Sequence, residues 1–188
     1  FALVLLTRLK PTTTGVQALV LCPTRELAEQ VSTEIRRLAR ASENVKVLTL
    51  CGGTPIRPQL ASLEHGADVV VGTPGRILDH LGRGSLKLHA LETLVLDEAD
   101  RMLDMGFFDD IAEVVKRCPA KRQTLLFSAT FPEGIVRSSR QFLREPKEVQ
   151  LLERHAPTKI RQRFYRVEEG ERLGAVALLL EHYRPERT

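Results

Sequence analysis

Residues 93–100 read Thr93-Leu-Val-Leu-Asp97-Glu98-Ala99-Asp100. Apolar residues in succession, rather than in alternation, mark a strand covered on both faces, as in a parallel sheet. The same texture recurs at 18–22, 45–50, 68–71 and 124–127. Between these runs lie segments with helical spacing. The clearest is 24–41, where Leu27, Val31, Ile35 and Leu38 form a stripe and Glu29, Glu34, Arg36 and Arg40 lie off it. Others fall at 59–65, 74–81, 107–118 and 132–143. Strand and helix alternating in this way predict right-handed βαβ units in a doubly wound α/β parallel sheet, with helices on both faces.

Composition sets wider bounds. The chain has 188 residues, 43% of them hydrophobic and 28% charged, which suits a globular core and excludes collagen-like and wholly disordered classes. The longest apolar run near the start, 1–6, is too short to span a bilayer and has no small-residue cleavage site after it. Cys22, Cys51 and Cys118 are widely spaced with no C-x-x-C pair. A reducing, cytoplasmic setting is therefore expected, with the cysteines packed as small apolar groups. The net charge of +4 permits a nucleic-acid partner without demanding one. A further strand is expected at 147–151, a polar linker at 152–159 around Pro157, a strand at 160–167 and a helix at 171–183. The domain boundaries expected are thus 1–151, 152–159 and 160–188, the last being the opening unit of a second domain.

Each unusual short motif directly follows a predicted strand, and in open α/β sheets the ligand crevice lies outside the carboxyl ends of the strands. Asp97 and Glu98 have the Walker B arrangement. Asp97, short and held by a rigid strand, suits Mg²⁺ bound through its waters, and Glu98 suits the orienting or deprotonation of an attacking water. Read alone, the pair fits a solvated acidic turn equally well. Thr24-Arg25 and Thr73-Pro74-Gly75-Arg76 open helices, whose free N–H groups and partial positive charge attract anions. Arginine adds a forked donor suited to phosphate. Gly53 and Gly75 would let a backbone approach closely. Taken singly, these are also ordinary caps worth about 1 kcal/mol. Ser128 and Thr130 read either as a helix start, Thr130 and Glu133 having capping-box spacing, or as hydroxyls bonded to the neighbouring acidic cluster.

PTRELA (23–28), GG (52–53), TPGR (73–76), DEAD (97–100) and SAT (128–130), in this order, resemble the first lobe of a DEAD-box ATP-dependent RNA helicase. The likeness covers roughly residues 17–150. It implies a RecA-like lobe that binds ATP and Mg²⁺ in a cleft, followed here by the start of a second RecA-like lobe, with RNA bound across both and short duplexes unwound. Residue by residue, it implies Asp97 for the Mg²⁺ waters and Glu98 for the attacking water. Asp100, Ser128 and Thr130 would couple nucleotide state to the contact between lobes. Thr24, Arg25, Gly53, Thr73, Gly75 and Arg76 would contact RNA phosphates and sugars without reading sequence. VLDEADRMLDMGF (95–107) resembles bacterial members near the ribosome-assembly type, which implies ribosomal precursors or RNA-processing complexes as partners.

The departures are equally specific. No G-x-x-x-x-G-K-[ST] occurs in the chain, and the upstream adenine-reading motif and the second-lobe arginine motifs are absent. The chain opens on Phe1 in apparent helix, so it is expected to be a fragment beginning just after the phosphate loop, inactive alone although its parent is an enzyme. The alternative is a non-catalytic RecA-like module that binds RNA or a protein partner. His65, His80, His89, His155 and His182 lack ligand spacing and are expected mostly on surfaces or at caps. The arginines at 161–166 are expected on a solvated strand face.

Overall fold

The computed structural model describes residues 1–40, 44–130, 140–149 and 163–184. The chain divides into two compact units, Phe1–Pro146 and Lys147–Thr188. In the first, strands β1 (Ala18–Leu21), β2 (Val47–Leu50), β3 (Val69–Gly72), β4 (Thr93–Leu96) and β5 (Gln123–Leu126) form one sheet in the order β2-β3-β1-β4-β5. Every pairing is parallel. The helices that accompany them include α1 (Ala2–Arg8), α2 (Arg25–Ala39), α3 (Ile56–Glu64), α4 (Pro74–Gly82), α5 (Ala99–Asp104) and α6 (Phe108–Arg117).

The chain steps one way from β1 to β2 and then returns, so right-handed crossovers put α2 on one face and α3 to α6 on the other. The core agrees with that assignment. Ala18, Val20, Val69, Val71 and Val95 pack with Leu5 of α1 and Ala28 and Ile35 of α2. Leu19, Leu21, Val70, Leu94 and Leu96 pack with Ile77, Met102, Ile111 and Val114. The three central strands are buried throughout, whereas the edge strands β2 and β5 are largely half-buried. This is why consecutive apolar residues mark the centre so clearly.

Some local expectations need correction. Helix α3 begins at Ile56 and carries Pro58 in its first turn. Proline is harmless there because a first-turn N–H has no intrahelical partner, so the helix starts three residues before the segment expected at 59–65. The six-residue α5 was not foreseen; it grows directly out of the acidic strand end. Of the helix expected at 132–143, residues 132–139 lie outside the described residues. Residues 140–142 are helical, with the Phe142 ring 5.5 Å from that of Phe108.

The second unit contains helix α7 (Arg172–Tyr183). The described parts of the strands expected at 147–151 and 160–167 pair with no other strand among the described residues. A lone strand has no ladder to join, so alternation by itself does not produce one. The expected linker at 153–158 lies outside the described residues. Helix α7 buries none of its side chains; Leu173, Val176 and Leu178 are exposed. Arg163 stacks on the Tyr183 ring, 4.8 Å from its centroid, and bonds its hydroxyl, which Tyr165 also meets.

Candidate functional site

The register brings the motifs together. Leu50, Gly72, Leu21, Leu96 and Leu126 are paired in succession across the sheet, so all five strands end in one row. The five motif segments therefore leave from one edge, in the spatial order 51–54, 73–76, 22–26, 97–100 and 127–130. At ordinary strand spacing this row is about 19 Å long. Its switch point, where chain connections depart in opposite directions, lies between β1 and β4.

On the β4–β5 side, the Asp97 N–H donates to the Leu21 carbonyl and the Ala99 N–H to the Phe127 carbonyl, fixing the turn at both ends. Between them Glu98 has φ 49° and ψ 54°, the left-handed region that a residue with a side chain seldom occupies. Its carboxylate accepts from Arg101 Nη1 at 3.3 Å. Burial raises the Asp97 carboxyl above the usual carboxylate range, with the Glu98 charge adding to that effect and a bond from the Glu98 N–H opposing it. A nearby cation would relieve such a group.

Asp100 is already engaged. Its Oδ2 accepts from the Thr130 N–H at 3.0 Å and the Thr130 hydroxyl at 2.8 Å, and its Oδ1 from the Arg101 N–H at 3.1 Å. Burial acts against its charge, but these bonds outweigh it and hold the carboxyl below its ordinary range. The Ser128 hydroxyl donates to the Thr130 carbonyl at 2.6 Å and so shapes the same turn. Among the described residues, no group of three His, Cys, Asp or Glu side chains is placed to hold a metal ion. A hard cation bound mainly by water and phosphate oxygens, with one carboxylate behind it, is the kind that fits Asp97.

The β2–β3–β1 side is built differently. Thr24 caps α2, its hydroxyl accepting from the Leu27 N–H at 3.3 Å, and Arg25 is exposed and paired with Glu29 at 2.8 Å. Gly53 is exposed, with φ 73° and open space beside it. Thr73 occupies the cap position of α4 but forms no capping bond, leaving that helix start with Pro74 and the exposed Gly75. Arg76, expected at RNA phosphates and sugars, turns inward. Its side chain is only 14% exposed, with Nη1 donating to the Thr54 carbonyl at 3.2 Å and to Gln59 Oε1 at 3.0 Å.

Gln59 was not singled out by the sequence, and His80, expected on a surface or at a cap, is fully buried. Both are buried, and His80 Nε2 lies 2.9 Å from Gln59 Oε1. The available signal was a polar residue on the inward stripe of each helix, Gln59 one turn before Leu63 and His80 one turn after Ile77. All three cysteines are buried and free, as small apolar packing requires. Burial pushes the Cys118 thiol up to about 11 and raises Cys22 and Cys51 as well, so none is a poised nucleophile.

Sheet order and motif row together define a RecA-like α/β lobe. The chain belongs to the DEAD/DEAH box helicase family, whose family model matches residues 1–138. It is 50% identical over 185 residues to the ATP-dependent RNA helicase DbpA of Escherichia coli (strain K12), covering 98% of this chain and 40% of that protein. It is 44% identical over 187 residues to the DEAD-box ATP-dependent RNA helicase CshA of Streptococcus pneumoniae, covering 99% and 36% respectively. A solved DEAD box protein from the hyperthermophile Methanococcus jannaschii superposes with a TM-score of 0.74 at 38% identity, over 96% of this chain and 48% of that one. The chain thus spans about two-fifths of the length of these curated relatives.

Proposed function

We propose that this chain is the nucleotide- and RNA-contacting first lobe of an ATP-dependent RNA helicase. The observation that carries the reading is the single row of strand ends, with Asp97, Glu98, Asp100 and Thr130 on one side of the switch point and two helix starts on the other. Asp97 would hold Mg²⁺ with its carboxylate, and the ion would neutralise the phosphates of the ATP substrate. Glu98 orients the attacking water and accepts its proton. Asp100 transmits that geometry through Thr130, with Ser128 holding the turn. RNA lies along Thr24, Arg25, Gly53, Thr73 and Gly75, with the Arg76 charge beneath it.

Contacts of this kind go to phosphates and sugars, so the lobe binds RNA irrespective of sequence. Residues 160–188 are assigned as the opening of a second lobe after a linker at 152–159. The relatives named as RNA helicases support RNA and ATP as partners and ATP hydrolysis as the reaction. Ribosomal precursors or RNA-processing complexes are the proposed setting, in the cytoplasm. No helix among the described residues is long and apolar enough to cross a membrane.

The test is RNA-stimulated ATP turnover by the full-length protein. Glu98→Gln should lower turnover at least about a hundredfold while ATP still binds, the scale of a positioned general base. Unchanged turnover removes Glu98 from the mechanism. A wild-type protein that binds RNA without hydrolysing ATP would instead be the non-catalytic module.

A further inference from the structure

A buried hydrogen-bond network joins the two segments assigned to RNA on the β2–β3 side. Gln59, only 8% exposed, lies at its centre. Its Nε2 donates to the Cys51 carbonyl at 3.0 Å and to the Thr54 hydroxyl at 2.8 Å. Its Oε1 receives Arg76 Nη1 at 3.0 Å and His80 Nε2 at 2.9 Å. The amide can have only this orientation. Guanidinium is a pure donor, so a flipped amide would set N–H against N–H at Arg76 and oxygen against oxygen at Cys51.

The tautomer of His80 follows. Nε2 carries the proton shared with Gln59, so Nδ1 faces the Ser85 hydroxyl, 2.9 Å away, whose one proton is divided between Nδ1 and the His80 carbonyl at 3.1 Å. Burial, followed by the neighbouring Arg76 charge, disfavours the imidazolium and keeps that arrangement neutral. The glycine turn after β2 and the first turn of α4 are therefore held by one amide whose four bonds are all made. No buried side-chain polar atom among the described residues lacks a partner.

We propose that Gln59 is a positioning residue for RNA binding. Its amide sets the separation of Gly53 from Gly75, so that the two exposed glycine backbones meet one strand in register, and His80 holds the amide from behind. This inference rests on the RNA edge proposed above. Gln59 itself is buried and touches no RNA. Its effect passes through Arg76 and the Thr54 carbonyl, which accepts from both terminal nitrogens of Arg76 at 3.2 Å.

Two substitutions separate positioning from simple loss of stability. Gln59→Met keeps the length and removes every bond, while Gln59→Glu keeps the acceptor for Arg76 and His80 and sets an oxygen against the Cys51 carbonyl. In the full-length protein, with single-stranded oligouridine as the probe, the RNA concentration giving half-maximal ATPase stimulation is measured beside the KM for ATP and the unfolding midpoint. Gln59→Met should raise the RNA value about tenfold, the scale of leaving buried partners unsatisfied. The KM for ATP and kcat at saturating RNA should stay within about twofold of wild type. Gln59→Glu should raise the RNA value as well, because the bonds to the Cys51 carbonyl and the Thr54 hydroxyl are lost although Arg76 and His80 keep their acceptor.

An unchanged RNA value for Gln59→Met overturns the inference. So does a fall in kcat with that value unmoved, because partial unfolding removes active molecules without altering the affinity of the rest. Gly75→Glu, which puts a carboxylate on the proposed RNA surface, is the control for the underlying reading. If it abolishes RNA stimulation while Gln59→Met does nothing, only the positioning role falls. If RNA stimulation survives Gly75→Glu intact, the RNA edge itself is wrong and the positioning role falls with it.

Discussion

The β4–β5 half of the sheet edge and the β2–β3–β1 half leave from the same row of strand ends, yet they are made of different materials. The first presents side chains: Asp97 raised by burial, Glu98 held by Arg101, and Asp100 bonded to Thr130. The second presents backbone: the exposed Gly53 and Gly75, and the start of α4 that Thr73 leaves uncapped. Its most prominent cation, Arg76, is turned inward and spent on shape. One half depends on which groups are present, and the other on where the main chain runs. Chemistry at a phosphate needs particular acids and bases, whereas a grip on any RNA sequence needs only correctly spaced amides and a mild positive field.

That contrast is open to attack on both sides. The largest effect is expected from the backbone side. A Cβ at Gly72 would lie 2.2 Å from the Leu50 carbonyl oxygen and 2.9 Å from the tip of Ile77, where β2 and β3 end. Gly72→Val should lower the stability of the chain by about 3 kcal/mol in denaturant titration, at the upper end of ordinary overpacking. It should also weaken RNA binding in the full-length protein more than ATP binding. Equal losses of the two ligands would mean that the halves are not separable.

A smaller effect is expected from Asp100→Asn on the side-chain half. The Asp100 carboxyl is held below its ordinary range, so its contribution is complete above the unfolded-state titration near pH 3.9 and disappears as pH falls through the lower folded value. Wild type should exceed the variant by about 1 kcal/mol at neutral pH, the scale of a single hydrogen bond. Acidification below about pH 4 should close that gap. A gap unaffected by acid would show that the Thr130 bonds do not depend on the charge.

The smallest effect is expected from Arg25→Ala, because a side chain is exchanged in the half governed by backbone. The salt dependence of RNA binding should become shallower by up to about 0.7, one phosphate contact on a single strand. A change several times larger would place the grip in side chains after all and erase the contrast.

The sequence made some of this visible and hid the rest for physical reasons. The central strands are legible because burial on both faces requires consecutive apolar residues, as in Leu19-Val20-Leu21 and Val69-Val70-Val71. The acidic strand end is legible because three carboxylates after such a strand are hard to explain as packing. The inward turn of Arg76 is not legible, since it depends on a carbonyl and an amide contributed by the segment after another strand. Gln59 and His80 were hidden for the same reason. A buried polar residue makes sense only once its partners are known, and here they are brought together by strand order rather than by sequence separation. The alternating pattern at 160–167 shows the converse, a strand-like sequence without a neighbouring strand to pair with among the described residues.

The left-handed backbone of Glu98 has a consequence for how the protein can change over generations. A side chain in that conformation costs about 1–2 kcal/mol that glycine would not incur. Stability alone therefore favours losing the carboxylate, while hydrolysis favours keeping it. Drift toward a sturdier fold and retention of the proposed chemistry pull in opposite directions at this one position. A descendant that had given up ATP turnover would have reason to become more stable there, and its residue 98 would record the event.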